Sequence, residues 1–131
     1  MASTAPAPRT LSGVLISESL RVGSELSGVP LQLTAIERIA VGDATADQPR
    51  HWTLLHFRAP EDTAGQLAEA LANCLAPTGG WYVDFSTATE TYVVFAGRVF
   101  RYARGDAAAR AEVQAYARSV GVPESQLDWK D

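Results

Sequence analysis

The chain is expected to fold as an α+β protein, a single mostly antiparallel sheet with two helices packed on one of its faces. Three observations predict this. Strand-like alternation comes in two groups, one before and one after a helical segment. The densest run of aromatic and β-branched residues, Gly80 to Asp106, spells a three-strand meander. Two segments, after Pro60 and after Asp106, carry apolar residues at helical spacing.

Taken in order, Met1 to Thr10 is Ala, Pro, Ser and Thr with nothing to bury, which reads as a disordered tail, and residues 11–131 read as one domain. Gly13 to Leu20 alternates Val14, Ile16 and Leu20 against Leu15, Ser17 and Ser19, a first strand. Arg21 to Pro30, with Gly23, Gly28 and Pro30, reads as an irregular crossing. Leu31 to Val41 reads as a second strand, with a short helix as the alternative because Ile36 and Ile39 blur the period. Gly42 to Arg50 is a polar loop. His51 to Arg58, apolar on both sides, suits a central third strand.

Ala59-Pro60-Glu61-Asp62 opens a helix, with proline at the first helical position and two acids at the positive end of the dipole. Ala64, Leu67, Ala68, Leu71, Cys74 and Leu75 form its inner stripe, and Pro77, Gly79 and Gly80 end it. In the meander, Trp81 to Phe85 and Thr91 to Ala96 are strands joined by Ser86 to Thr89. Gly97-Arg98 is expected as a two-residue turn, with Ala96-Gly97 as the alternative. Either register keeps Val93, Phe95, Phe100 and Tyr102 on one face. Asp106 caps a second helix, Ala107 to Ser119, and Pro123 to Trp129 docks Leu127 and Trp129 on the body. The order β-β-β-α-β-β-β-α resembles the ferredoxin-like sandwiches, an analogy of element order that assigns no function.

Composition excludes several classes. A hydrophobic content of 47% with 20% charged residues describes a folded chain, and a net charge of −4 without a basic run argues against nucleic-acid partners. One cysteine rules out an internal disulfide framework and suits a reducing compartment. No apolar run approaches the roughly 18 residues that span a bilayer, so a soluble, cytoplasmic protein without a membrane partner is expected.

Motifs for nucleotides, metals and nucleophilic catalysis are missing from the sequence, and no cofactor or metal is expected. His51 and His56 lie five apart on one strand and point to opposite faces. Cys74 sits on an inner helical stripe, where a thiol is usually inert. The sharper expectation concerns a sheet face. If the helices cover Leu55, Phe57, Trp81, Val83, Phe85, Val93, Phe95, Phe100 and Tyr102, the other face carries Trp52, His56, Arg58, Tyr82, Tyr92 and Arg101, with Leu54, Asp84, Val94 and Val99. That mixture is too aromatic for a bare surface and too polar for a core, and such faces mark ligand grooves or subunit interfaces.

Three functions follow as expectations. The first is a binding or regulatory module that meets itself, as a homodimer, or another protein through this face. The second is a small enzyme with an apolar substrate pocket, His56 acting as acid or base and Asp84 orienting it. The third is an antagonist or immunity-type protein that presents Glu61, Asp62, Glu69, Glu90 and Glu124 to a larger partner.

Overall fold

The six-residue strand Glu90–Phe95 decides how this molecule is layered. It runs Glu-Thr-Tyr-Val-Val-Phe, and its last five residues are buried. A strand apolar at consecutive positions has to be covered on both faces.

The computed structural model describes residues 9–129. Its elements are β1 (Thr10–Ile16), β2 (Gln32–Ala40), β3 (His51–Pro60), α1 (Ala64–Ala72), β4 (Val83–Ser86), β5 (Glu90–Phe95), β6 (Arg98–Ala103) and α2 (Ala107–Ser119). This is the element order that the sequence predicts. The strands form one open antiparallel sheet in the order β2-β3-β1-β4-β5-β6. That strand order does not confirm the ferredoxin-like analogy. Most of the expected tail lies outside the described residues, although Thr10 already pairs with Pro60 as the first residue of β1. No described helix is long and apolar enough to cross a membrane.

The two helices lie on opposite faces, which corrects the expectation of two helices on one. On the first face, Tyr92 and Val94 join Leu11, Leu15, Phe57, Val83 and Phe85 beneath Leu67, Ala68 and Leu71 of α1. On the second, Val93, Phe95 and Tyr102 meet Val113 and Ala117 of α2, followed by Val122, Leu127 and Trp129 of the C-terminal segment. Each large side chain buried in this way contributes roughly 1.5–3 kcal/mol. The two-sided strand is therefore β5, and only one helix per face can satisfy it.

A three-residue turn sets which face each residue joins. Thr87–Thr89 links β4 to β5, closed by Thr87 N–H donating to the Glu90 carbonyl at 2.9 Å and by Glu90 N–H donating to Thr87 Oγ1 at 3.1 Å. Phe85 then faces Tyr92, and Asp84 faces Val93. The expected grouping of Phe85 with Val93 is off by one residue, and one residue reverses every side chain of a strand. Tyr92, Val94, Val99 and Arg101 therefore belong to the α1 face. The β5–β6 hairpin takes the alternative turn, Ala96-Gly97, with Gly97 at φ +69° and Phe95 opposite Arg98. Val93, Phe95, Phe100 and Tyr102 share one face, as the sequence predicts.

Smaller corrections concern element ends. β1 stops at Ile16, before a single 3-10 turn at Ser17–Ser19, instead of reaching Leu20. Pro60 ends β3 in an extended conformation (φ −60°, ψ 136°), and a 3-10 turn, Glu61–Thr63, precedes α1. β4 begins at Val83, so Trp81 is free of the alternation expected for it and packs edge-on against Trp52, with ring centroids 5.2 Å apart. Asp106 caps α2 as expected, its carboxylate accepting from Ala109 N–H at 3.0 Å.

Candidate functional site

α2 and the C-terminal segment are too short to cover the whole second face. They end over β4, β5 and β6, and beside them a groove of about 270 Å³ remains above β3, β1 and the start of β4. Val14, Ile16, Ile39, Leu54 and Trp52 floor it, and Trp81 and Tyr82 form one wall. Asp43, Ser125, Gln126 and Asp128 form the rim, with Asp84 rising from the floor.

The rim is built by chain segments remote in sequence. Ser125 Oγ donates to Asp43 Oδ2 at 2.8 Å, and Gln126 Nε2 donates to the Asp43 carbonyl at 3.2 Å. Gln48, buried behind them, donates to the Gly79 carbonyl at 2.7 Å and exchanges amide hydrogen bonds with Gln126. Gly80 permits this closure: a Cβ there would stand 2.6 Å from the Gly121 carbonyl oxygen. Trp52 is held by its indole N–H, which donates to the Pro49 carbonyl at 2.8 Å. Tyr82 is fixed by donating to the Gln126 carbonyl, with Asp128 Oδ1 also in reach at 3.4 Å.

The electrostatics of the groove centre on Asp84. Burial, reinforced by the nearby Asp128 charge, pushes its carboxyl up to about 6, and a hydrogen bond from its own backbone and the Arg110 charge only partly oppose this. Burial and the same two carboxylates push the Tyr82 phenol upward, so its hydroxyl remains a donor at any ordinary pH. An acid standing on an apolar floor beside a second acid is poised to gain from an incoming cation.

The residues expected from the sequence are divided between two places. Trp52, Tyr82 and Asp84 belong to the groove. His56 lies on the same face, opposite Val14 and Ala35, and its Nε2 is 2.5 Å from Glu37 Oε1. Asp84 is on β4, beyond the intervening β1, so two strand spacings, roughly 10 Å, separate the two backbones. Arg58 is exposed on the same face, opposite Ser12 and Gln32.

Tyr92 and Arg101 lie on the other face. Tyr92 is buried and stacked on Phe85, with centroids 5.0 Å apart. Arg101 grips Glu90 with two hydrogen bonds, of 2.5 and 2.7 Å, beside an open hollow of about 910 Å³ that Arg9, Glu61 and Gln66 also line. That hollow is larger than the groove, but three of its charged side chains, Glu61, Glu90 and Arg101, are already engaged. Glu90 holds Arg101, and Glu61 accepts from Ala88 N–H at 3.2 Å. Glu124 is likewise held by Arg118, so two of the acids expected to face a partner are ion-paired.

Asp43, Asp128, Gln126 and Ile39 were not expected at a site. Ile39 reaches it from β2, opposite Trp52, and the other three through a loop and the C-terminal segment, an arrangement that no periodic pattern in the sequence announces. Among the described residues, no three His, Cys, Asp or Glu side chains converge as metal ligands. Cys74 is buried, its Sγ donating to the Glu25 carbonyl at 3.3 Å. No family profile matches the chain, and comparison with curated proteins and with solved structures returns no match.

Proposed function

We propose that the protein is a non-catalytic binding module that receives a basic side chain of a partner protein in the groove above β3, β1 and β4. The observation that carries this reading is Asp84, a half-buried carboxylate raised to about 6 on an apolar floor. Burial and Asp128 make that charge costly to the fold, and a bound cation would offset the cost. A groove of about 270 Å³ falls below the ordinary range of small-molecule pockets and holds one long side chain. Val14, Leu54 and Trp52 would carry the methylene stem, and Asp84 and Asp128 the charged head. The acid–base reading is disfavoured because the hydrogen-bond partner of His56 is Glu37, with Asp84 a strand further away.

The test is an NMR titration of ¹⁵N-labelled protein with acetyl-Leu-Arg-Leu-amide, and with acetyl-Leu-Gln-Leu-amide as the uncharged analogue. The arginine peptide is expected to shift the Val14, Leu54 and Tyr82 amides and to bind more tightly as pH rises through about 6, where Asp84 ionises. Loss of a charge-assisted hydrogen bond costs about 1.5–3 kcal/mol, so the glutamine peptide, and Asp84→Asn with either peptide, should bind about 10-fold or more weakly. Equal affinity for the two peptides, or no response to Asp84→Asn, would refute the proposal.

A further inference from the structure

The loop between β2 and β3, residues 42–50, supplies Asp43 to the rim of the groove and has no apolar anchor. None of its residues belongs to either hydrophobic cluster, and Gln48 is the one residue of the loop that is buried. The base of the loop is closed by Val41 N–H, which donates to the Arg50 carbonyl at 2.8 Å. Beyond that base its shape rests on hydrogen bonds, and these converge on Gln48.

The Gln48 amide uses every donor and acceptor site it has. Nε2 donates to the Gly79 carbonyl at 2.7 Å and to Gln126 Oε1 at 3.1 Å. Oε1 accepts from Thr45 N–H at 3.1 Å and from Gln126 Nε2 at 2.9 Å. A carbonyl only accepts and a backbone N–H only donates, so Gly79 and Thr45 fix which way this amide points. Gln48 in turn fixes Gln126, whose Nε2 also donates to the Asp43 carbonyl at 3.2 Å. Asp43 is held a second time by Ser125 Oγ, which donates to its carboxylate at 2.8 Å.

We propose that Gln48 is a positioning residue for the groove, holding the Asp43 carboxylate at the rim as a third negative charge beside Asp84 and Asp128. Without its amide, Gln126 is free to turn over and to present Oε1 to the Asp43 carbonyl, where two acceptors repel. One of the two ties on Asp43 is then lost, and the loop has no apolar contact in either cluster to keep it in place. Among the described residues that line the groove none is basic, so the third carboxylate is left for an incoming cation. The inference rests on the reading of the groove as a site for a basic side chain, and extends that site from the sheet to the loop.

The test repeats the titration with acetyl-Leu-Arg-Leu-amide, at low ionic strength, on Gln48→Met, Asp43→Asn and the double variant. Gln48→Met keeps the length and neutrality of the side chain and removes its amide. Asp43→Asn removes only the charge and leaves an oxygen for Ser125. Each single variant should bind about 2- to 5-fold more weakly, as befits one exposed charge. The double variant should bind no more weakly than Gln48→Met, because the charge it removes has already left the rim. Without peptide, the Thr45 amide should lose its protection from hydrogen exchange in Gln48→Met and keep it in Asp43→Asn. Losses that multiply in the double variant, or a Gln48→Met protein that binds as the wild type does, would overturn the role of Gln48 and leave the basic-side-chain reading standing. Full affinity in Asp43→Asn would do the same, whatever the state of the Gln48 variant. A wild type that binds neither peptide would overturn both.

Discussion

The half of the sheet formed by β4, β5 and β6 and the half formed by β2, β3 and β1 are built from similar residues and treated differently. β5 has Val93 and Val94 fully buried, one facing each layer. β2, also rich in aliphatic residues, is exposed along nearly its whole length. The difference lies in cover. α1 packs over the middle of the sheet, and the second face is covered only as far as α2 and the C-terminal segment reach. Where cover is complete the sheet is a core. Where it stops, the same pleated surface supplies a groove and, among the described residues, an unpaired edge. Stability is thus concentrated toward one end of the sheet, and the groove of the binding proposal lies toward the other.

The largest loss of stability is expected from a cavity in the covered half. Phe95 is buried among Tyr82, Phe100 and Tyr116, and Phe95→Ala should cost about 3–5 kcal/mol in urea unfolding. Leu54, half-exposed at the groove floor, should cost well under half as much on truncation to alanine. Equal losses at the two positions would mean that the halves are not energetically distinct.

A smaller effect is expected where the C-terminal segment is latched to the sheet. Trp129 is buried, and its indole N–H donates to the Tyr102 hydroxyl at 2.8 Å. Tyr102→Phe removes the acceptor and should cost about 1–3 kcal/mol, the price of an unsatisfied buried donor. Hydrogen exchange should show the segment after α2 opening more readily in this variant, with β2 and β3 unaffected. The smallest effect belongs to Arg101→Ala. Its pairing with Glu90 is solvent-exposed, and its loss should leave stability nearly unchanged, with no change in peptide binding. A large loss of binding there would move the site to the α1 face.

Much of the fold was legible because local signals are strong. The eight elements, the bounds of α2, its Asp106 cap and the shared face of Val93, Phe95, Phe100 and Tyr102 follow from spacing and turn chemistry alone. The helix positions were not legible, and β5 explains why. Tyr92, Val93, Val94 and Phe95 are all apolar, so alternation cannot say which of them faces Phe85, and only the length of the Thr87–Thr89 turn settles it. The site was legible in part. Trp52, Tyr82 and Asp84 could be grouped from strand periodicity, but Asp43, Gln126 and Asp128 join them through contacts between loops more than 40 residues apart in the chain. Strand order, which separates His56 from Asp84, leaves no trace in a periodic pattern.

The proposed role of Asp84 requires its carboxylate to be kept charged in the groove at the expense of the fold. Its folded-state value, about 6, lies above the ordinary 3.8, so the stability it contributes is complete below about pH 4 and lost as pH rises through 6. Asparagine at this position mimics the neutral acid at every pH. The direct measurement is the unfolding free energy of wild type and Asp84→Asn by urea denaturation, at about pH 4 and about pH 8. The two proteins should be nearly equal at the lower pH, and the variant should be more stable at the higher, by up to about 3 kcal/mol. A variant no more stable than wild type at the higher pH would overturn that role, because the carboxylate would then be serving the fold.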